Sequence, residues 1–440
     1  MALDPEQQQP ISSVSRESSG EISPEREPLI KENHVPENYS VVAAILPFLF
    51  PALGGLLYGY EIGATSCATI SLQEPMTLLS YYAVPFSAVA FIKWNFMTSG
   101  SLYGALFGSI VAFTIADVIG RRKELILAAL LYLVGALVTA LAPTYSVLII
   151  GRVIYGVSVG LAMHAAPMYI AETAPSPIRG QLVSLKEFFI VLGMVGGYGI
   201  GSLTVNVHSG WRYMYATSVP LAVIMGIGMW WLPASPRWLL LRVIQGKGNV
   251  ENQREAAIKS LCCLRGPAFV DSAAEQVNEI LAELTFVGED KEVTFGELFQ
   301  GKCLKALIIG GGLVLFQQLI MTGVAVVVID RLGRRPLLLG GVGGMRLTSC
   351  CCSCTAALCG LLPEIFPLKL RGRGLSLAVL VNFGANALVT FAFSPLKELL
   401  GAGILFCGFG VICVLSLVFI FFIVPETKGL TLEEIEAKCL

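Results

Sequence analysis

Long apolar runs separated by short polar segments dominate the chain after its first 40 residues. A helix that crosses a bilayer needs about 20 mostly apolar residues. Six such blocks occur in the first half and four in the second, which predicts an all-α membrane protein with about 10 spans. The blocks are Val41–Gly63, Thr98–Ala116, Leu125–Ala142, Val147–Ala171, Val183–Leu203, Tyr213–Leu232, Leu304–Ile329, Leu337–Leu362, Leu375–Ser394 and Gly401–Val424.

Polar segments divide the chain into five predicted regions. The first is acidic and rich in Ser, Pro and Gln, a composition typical of disorder. The regions are a disordered cytosolic tail over 1–40, a six-span bundle over 41–232, a cytoplasmic central loop over 233–303, an incomplete second bundle over 304–424 and a cytosolic tail over 425–440.

Three shorter segments carry weaker patterns. Pro75–Ile92 is apolar but interrupted by Pro85 and several polar residues, so we expect a lumenal loop or an interfacial segment. In the central loop, apolar residues recur at helical spacing in Glu251–Leu264 and Asp271–Leu284. This periodicity predicts two short amphipathic helices.

Basic residues predict the orientation. Arg121 and Arg122 follow the second block, Arg179 follows the fourth, and Arg237 follows the sixth, whereas the intervening loops hold few basic residues. Because Lys and Arg concentrate in cytoplasmic loops, we expect both termini and the central loop to be cytosolic.

Two motifs occur twice in the same order. Asp117–Arg122 resembles Asp330–Arg335, and Glu172–Gly180 resembles Glu364–Gly372, which indicates a duplicated six-span unit. The two motifs begin 55 residues apart in the first half and 34 apart in the second. The difference is about the length of one span. In the second half, the first motif also lies closer to the start of the half than it does in the first half. The second half therefore has about two spans fewer than a complete repeat.

Composition excludes several function classes. Hydrophobic residues make up 55% and charged residues 14%, and a net charge of -1 gives no reason to expect nucleic-acid binding. No Walker-type loop or Ser/His/Asp set is present, so we expect no cofactor and no enzyme activity, with a membrane-embedded enzyme as a disfavoured rival. We also expect no metal site, since zinc ligands usually come as separated pairs. The alternative is the cysteine cluster Cys350, Cys351, Cys352, Cys354 and Cys359.

Several further motifs identify a family resemblance. They are Gly151-Arg152 with Gly156 and Gly160, Glu172–Gly180, Pro233–Arg237, Pro425–Gly429 and the two Asp-Gly-Arg-Arg loops. With these motifs the chain resembles the sugar porters of the major facilitator superfamily, and especially the vacuolar glucose transporter or xylose–proton symporter-like group.

The resemblance implies a fold and a function. The fold is two pseudo-symmetric helical bundles, here with about 10 apolar blocks instead of 12. The function is transport of a monosaccharide such as glucose or xylose, coupled to protons, by alternating access in a lipid bilayer. The second half departs from the family pattern after Gln318, and the tenth-span tryptophan has no counterpart. A transport-inactive splice or gene-model variant is therefore the alternative. The oligomeric state stays open.

The resemblance also implies a proton-coupling pair. Glu61 lies in the first block, where an acid is costly unless it is paired or faces a cavity. In proton-coupled sugar porters the matching acid carries the proton, and Arg152 is its expected partner. The alternative is a static ion pair that orients the first and fourth spans.

Amide side chains are the candidate sugar ligands, because each offers donors and acceptors that match sugar hydroxyls. The alternative is hydrogen bonding between helices. The candidates are Gln317, Gln318, Asn382 and Asn386, with Glu187 as an acidic member.

Charged residues at cytoplasmic span ends form a third set, which we call the cytoplasmic latch. The resemblance implies a salt-bridge network that holds the two halves together, and the alternative is solvated positive-inside charge. The members are Asp117, Arg121, Arg122, Glu172, Arg179, Asp330, Arg334, Arg335, Glu364 and Arg371.

The acidic tail contains a candidate sorting signal. Glu25 precedes Leu29 and Ile30 at the spacing of an acidic-dileucine motif. This motif predicts a vacuolar or other internal membrane.

Overall fold

A computed structural model describes the first half of the chain and parts of the second. The described residues are 41–72, 88–174, 178–244, 249–265, 270–286, 304, 307–312, 314–315, 372–391, 408, 411–412, 415 and 418–419.

The elements of this part of the chain are helices, and no strand occurs among the described residues. In order they are α1 Val41–Ser71, α2 Ala88–Ile119, α3 Arg121–Ala140, α4 Tyr145–Thr173, α5 Arg179–Thr204, α6 Gly210–Ala216, α7 Ser218–Trp231, α8 Pro236–Ile244, α9 Val250–Arg265, α10 Val270–Phe286 and α11 Gly372–Phe391.

Six segments are long and apolar enough to cross a membrane, judged by length and composition within the described residues. They are Phe96–Ala116, Arg121–Ala140, Tyr145–Thr173, Gly180–Thr204, Gly210–Trp231 and Gly372–Phe391. The 31-residue α1, which carries Glu61, is not among these six segments. The prediction of an all-α membrane protein is confirmed.

One predicted boundary was wrong. α2 begins at Ala88, so the end of Pro75–Ile92 belongs to a helix and not to a loop. The sixth block is confirmed as one span, Gly210–Trp231, in which the single residue Thr217 separates α6 from α7. Pro220 explains this separation, because it has no N–H to donate to the carbonyl four residues earlier. The two amphipathic helices of the central loop are confirmed as α9 and α10.

The first bundle is assembled through very close helix crossings. α1 packs along α5, and α2 packs along α4. A Cβ on Gly59 would overlap the Ile190 carbonyl oxygen of α5, and a Cβ on Gly193 would overlap the Leu56 carbonyl oxygen of α1. Lipid tails are as apolar as leucine, so helices associate in the membrane through such close packing more than through hydrophobicity.

We therefore expect Gly193→Ala to destabilise the bundle by about 1–3 kcal/mol, the usual cost of overpacking. Gly196 provides the matched control, since it lies one turn away on α5 and a Cβ there meets nothing within 4 Å. Thermal unfolding of both variants in detergent measures the difference. Equal stability of Gly193→Ala and Gly196→Ala would contradict the role of this crossing.

α11 belongs to the second half of the chain but packs against the first bundle. Val379 and Phe383 of α11 lie in the same buried cluster as Leu57 of α1 and Ala105 of α2. The Phe383 ring meets the Tyr58 ring edge-on, with 5.8 Å between the centroids. The two halves are thus in direct contact along α11.

Candidate functional site

The first site is a buried ion pair between α1 and α4. The Arg152 Nη1 atom lies 3.2 Å from the Glu61 Oε1 atom. Glu61 is 5% exposed and Arg152 is 1% exposed. The structure therefore brings together the two residues that the sequence predicts to couple protons.

Arg152 is held by more than its acidic partner. Its Nη1 atom also donates to Thr65 Oγ1 at 2.9 Å and to the Tyr215 hydroxyl at 2.5 Å. Its Nη2 atom donates to the Thr98 carbonyl at 3.3 Å and to Ser101 Oγ at 3.4 Å. These partners come from α1, α2 and α6, so the guanidinium would keep its position even if Glu61 became neutral.

Glu61 has fewer partners than Arg152. Besides the ion pair, its Oε1 atom accepts a hydrogen bond from Thr65 Oγ1 at 3.4 Å, within its own helix. The carboxyl also interacts with the Ser101 hydroxyl of α2, and the ion pair joins it to α4. A change in the charge of Glu61 acts directly on the contact between α1 and α4.

Three buried tyrosines fix the position of α1 and were not predicted from the sequence. The Tyr132 hydroxyl donates to the Gly54 carbonyl at 3.3 Å, and the Tyr155 hydroxyl donates to the Leu57 carbonyl at 3.1 Å. The Tyr60 hydroxyl donates to a carbonyl of α6 at 2.6 Å. The signal that could have identified them is a tyrosine inside an apolar block, because a buried hydroxyl needs a partner.

Only some of the predicted sugar ligands lie among the described residues. Asn382 and Asn386 lie one turn apart on α11, and the Asn386 Nδ2 atom donates to the Asn382 Oδ1 atom at 3.5 Å. Both are half-buried. Gln317 and Gln318 lie outside the described residues.

Glu187 is the acidic member of the predicted sugar site and lies on α5. Its Oε1 atom is 2.9 Å from the Lys186 Nζ atom. The contact of the first bundle with α11 near the two asparagines comes from Tyr58 of α1, whose ring meets Phe383.

The cytoplasmic latch is described for its first-half members. Arg121 Nε lies 3.0 Å from Glu172 Oε1, and the Ser235 hydroxyl donates to Glu172 Oε2 at 2.5 Å. Arg122 donates instead to the carbonyls of Met229 and Trp230, at 3.4 and 2.6 Å, near the end of α7. Arg121 and Glu172 thus connect α3 to α4 within one bundle.

The remaining predicted residues are not described. Asp117 and Arg179 lie in α2 and α5, but their side chains are outside the described set. The other predictions that lie outside the described residues concern Asp330, Arg334, Arg335, Glu364, Arg371, Glu25, Leu29, Ile30 and the five clustered cysteines.

A family model described as "Sugar (and other) transporter" matches residues 48–321 and 352–438. D-xylose-proton symporter-like 2 of Arabidopsis thaliana is 80% identical over 507 aligned positions, with 100% of both chains covered. D-xylose-proton symporter-like 1 of the same plant is 63% identical, again over 100% of both chains. Since this chain has 440 residues, at least 67 positions of the 507-position alignment have no residue in it.

Solved structures resemble the chain as well. The proton:xylose symporter XylE bound to 6-bromo-6-deoxy-D-glucose is 27% identical with a TM-score of 0.72, over 91% of this chain and 100% of that one. The inward-open xylose transporter XylE from E. coli is also 27% identical, with a TM-score of 0.60 over 89% of this chain and 98% of that one.

Proposed function

The chain belongs to the sugar (and other) transporter family of the major facilitator superfamily, and we propose that it transports a monosaccharide together with protons by alternating access. The buried pair of Glu61 and Arg152 is the observation that carries the proposal. An ionisable pair inside a membrane bundle is costly to maintain and is typical of proton pathways. The relatives named as D-xylose-proton symporter-like proteins support the same activity.

The geometry suggests how a proton would act at this pair. A proton on Glu61 removes the charge that attracts Arg152, while Thr65, Tyr215, Thr98 and Ser101 continue to hold the guanidinium. The contact between α1 and α4 is then weakened, whereas Arg152 stays in place. A two-state element biased in this way can couple proton binding to rocking of the bundles.

We propose that the sugar binds beside α11. Asn382 and Asn386 present amide groups on that helix, and Tyr58 approaches it from the first bundle. Amide groups offer the donors and acceptors that a sugar ring requires. Glu187, Gln317 and Gln318 are proposed as further ligands from the resemblance alone.

The alternative of a transport-inactive variant is not favoured. The similarity to the two symporter-like relatives extends over the full length of this chain despite the unmatched positions. The matched family is one of transporters, and we propose that the chain has no enzymatic activity of its own. We further propose that the charged residues of the cytoplasmic latch stabilise one of the two transport states.

Uptake into proteoliposomes tests the proposed function. We expect saturable uptake of D-xylose or D-glucose that rises when the outside is made more acidic than the lumen of the vesicle. Protein-free liposomes and a protonophore serve as controls. The proposal would be overturned by uptake that is independent of the pH gradient, or by uptake of the same size in protein-free liposomes.

The chain is a multi-pass membrane protein, and we propose that it resides in a vacuolar or other internal membrane with both termini in the cytosol. Replacing Leu29 and Ile30 by alanine should then move a tagged protein to the cell surface. The control replaces Ile11 and Val14, which lie in the same tail outside the motif. Fluorescence microscopy of the three proteins makes the comparison, and an unchanged location of the Leu29 and Ile30 variant would contradict the sorting role.

A further inference from the structure

A second buried acid and base pair lies near the cytoplasmic end of the first bundle. The His164 Nδ1 atom of α4 is 2.8 Å from the Glu124 Oε1 atom of α3, and both side chains are fully buried. The other ring nitrogen, Nε2, is 3.1 Å from the Gly372 carbonyl oxygen at the start of α11. One imidazole therefore joins two helices of the first half to a helix of the second.

The bonding partners determine how many protons the pair holds. A backbone carbonyl accepts hydrogen bonds and never donates them, and the Gly372 carbonyl already accepts one from Ser376 Oγ at 3.1 Å. His164 Nε2 must therefore carry a hydrogen in this conformation. Between Nδ1 and Glu124 Oε1 one more hydrogen is needed, either on the ring as imidazolium or on the acid.

Loss of that shared proton is incompatible with the observed contacts. A neutral ring has one hydrogen for two nitrogens, and both of them face acceptors. The hydrogen would stay on Nδ1, because a bond to an ionised carboxylate is stronger than a bond to a carbonyl. Nε2 would then turn a lone pair towards the Gly372 oxygen, and the hydrogen bond between α4 and α11 would be lost.

We propose that Glu124 and His164 form a second proton-binding site, which holds α4 against α11 as long as the pair shares a proton. This inference rests on the proposed proton-coupled transport and adds to it. The site is separate from the first pair, since His164 lies 12 residues after Arg152 on α4, about 18 Å along the helix.

Other charges surround the pair from the neighbouring helices. Arg121 of α3 is the second charge that acts on the ring, and it is itself bound to Glu172. The Glu124 Oε2 atom has no hydrogen-bond partner among the described residues. In this part of the chain the buried carboxyl therefore depends on the imidazole for its hydrogen bond. The more distant charged groups described on these and the packed helices are Arg122 and Lys123 of α3, Arg152 of α4, Glu61 of α1, Lys186 and Glu187 of α5, Arg212 of α6, Arg237 and Arg242 of α8 and Arg373 of α11.

Nitrogen NMR of the ring tests the proton directly. The chain has three histidines, so ¹⁵N-histidine labelling of a His34→Gln/His208→Gln protein in nanodiscs leaves the His164 ring alone. We expect Nε2 to carry a hydrogen at acidic pH and to lose it at alkaline pH. At alkaline pH the remaining ring hydrogen should be on Nδ1. A ring that keeps its hydrogen on Nε2 throughout the titration would overturn the proposal.

Glu124→Gln provides the matched variant. Its amide can donate to Nδ1 while Nε2–H still donates to Gly372, which imitates the protonated pair. We expect this variant to lose the Nε2 titration and to keep α4 and α11 together at every pH. Distances between spin labels on the cytoplasmic ends of α4 and α11 measure the second effect.

The parent protein should show the opposite behaviour, with a population of separated α4 and α11 that grows as Nε2 loses its hydrogen. An identical pH response of the parent and Glu124→Gln would overturn the proposal. Neither measurement requires sugar or transport. A failure of the proposed function, seen as absent proton-driven uptake by the parent, is therefore distinguishable from a failure of this site.

Discussion

Replacing Glu61 by glutamine is expected to abolish sugar accumulation driven by a pH gradient while sparing sugar exchange across the membrane. Glutamine has the shape of the protonated acid, and its carbonyl can still accept from Arg152 across the same 3.2 Å contact. The variant would then remain permanently in the protonated form. The bundles could still rock with sugar bound, but no proton would move with each cycle.

The expected effect is large. A pH gradient of one unit stores about 1.4 kcal/mol per proton, enough for about tenfold accumulation of a sugar that moves with one proton. In proteoliposomes the parent should approach this ratio, and Glu61→Gln should equilibrate without accumulation. Glu255→Gln, an exposed acid on α9, is the control. Equal loss of counterflow and of driven uptake in Glu61→Gln would instead indicate a structural ion pair.

Replacing Arg152 by methionine should damage the fold as well as the activity. The guanidinium is almost fully buried and binds four polar groups besides Glu61. Its removal leaves a buried carboxylate without its counter-ion, and breaking a buried pair in this way costs about 3–5 kcal/mol. We expect little folded protein in membranes and a strongly lowered unfolding temperature in detergent.

A double variant separates charge from packing. Glu61→Gln/Arg152→Met removes both charges, and replacement of a whole buried pair by neutral groups is often close to neutral in stability. We expect it to recover a large part of the lost stability but none of the proton coupling. If the double variant is as unstable as Arg152→Met, the hydrogen bonds to Tyr215 and its neighbours, and not the charge of Glu61, determine the stability at this site.

Much of the first half follows from local sequence features. Apolar blocks of span length predict α2 to α5 within a few residues except for the start of α2, since burial in lipid requires continuous helices. The break at Thr217 was not predicted, because Pro220 lies inside an otherwise continuous apolar block. The pairing of Glu61 with Arg152 was predicted from the family resemblance and is observed in the structure. Their proposed role in proton coupling stays a prediction.

The partners of these charges could not be read from the sequence. Thr65, Ser101 and Tyr215 come from three helices, and nothing in an apolar block marks which of its hydroxyls faces a distant guanidinium. Glu124 and His164 were missed for a related reason. A single histidine in an apolar block suggests no site, and its acid is 40 residues away beside a basic motif.

The interruption of the sixth span at Thr217 has a mechanical consequence. The seven-residue α6 contacts Arg152 through Tyr215, and its Met214 carbonyl binds Tyr60 of α1. Because Pro220 has no N–H, the backbone ladder lacks one hydrogen bond where α6 meets α7, although Thr217 keeps a helical conformation. A displacement of Arg152 or α1 is therefore passed to α7 through a continuous helical backbone that has one bond fewer to resist bending at this point.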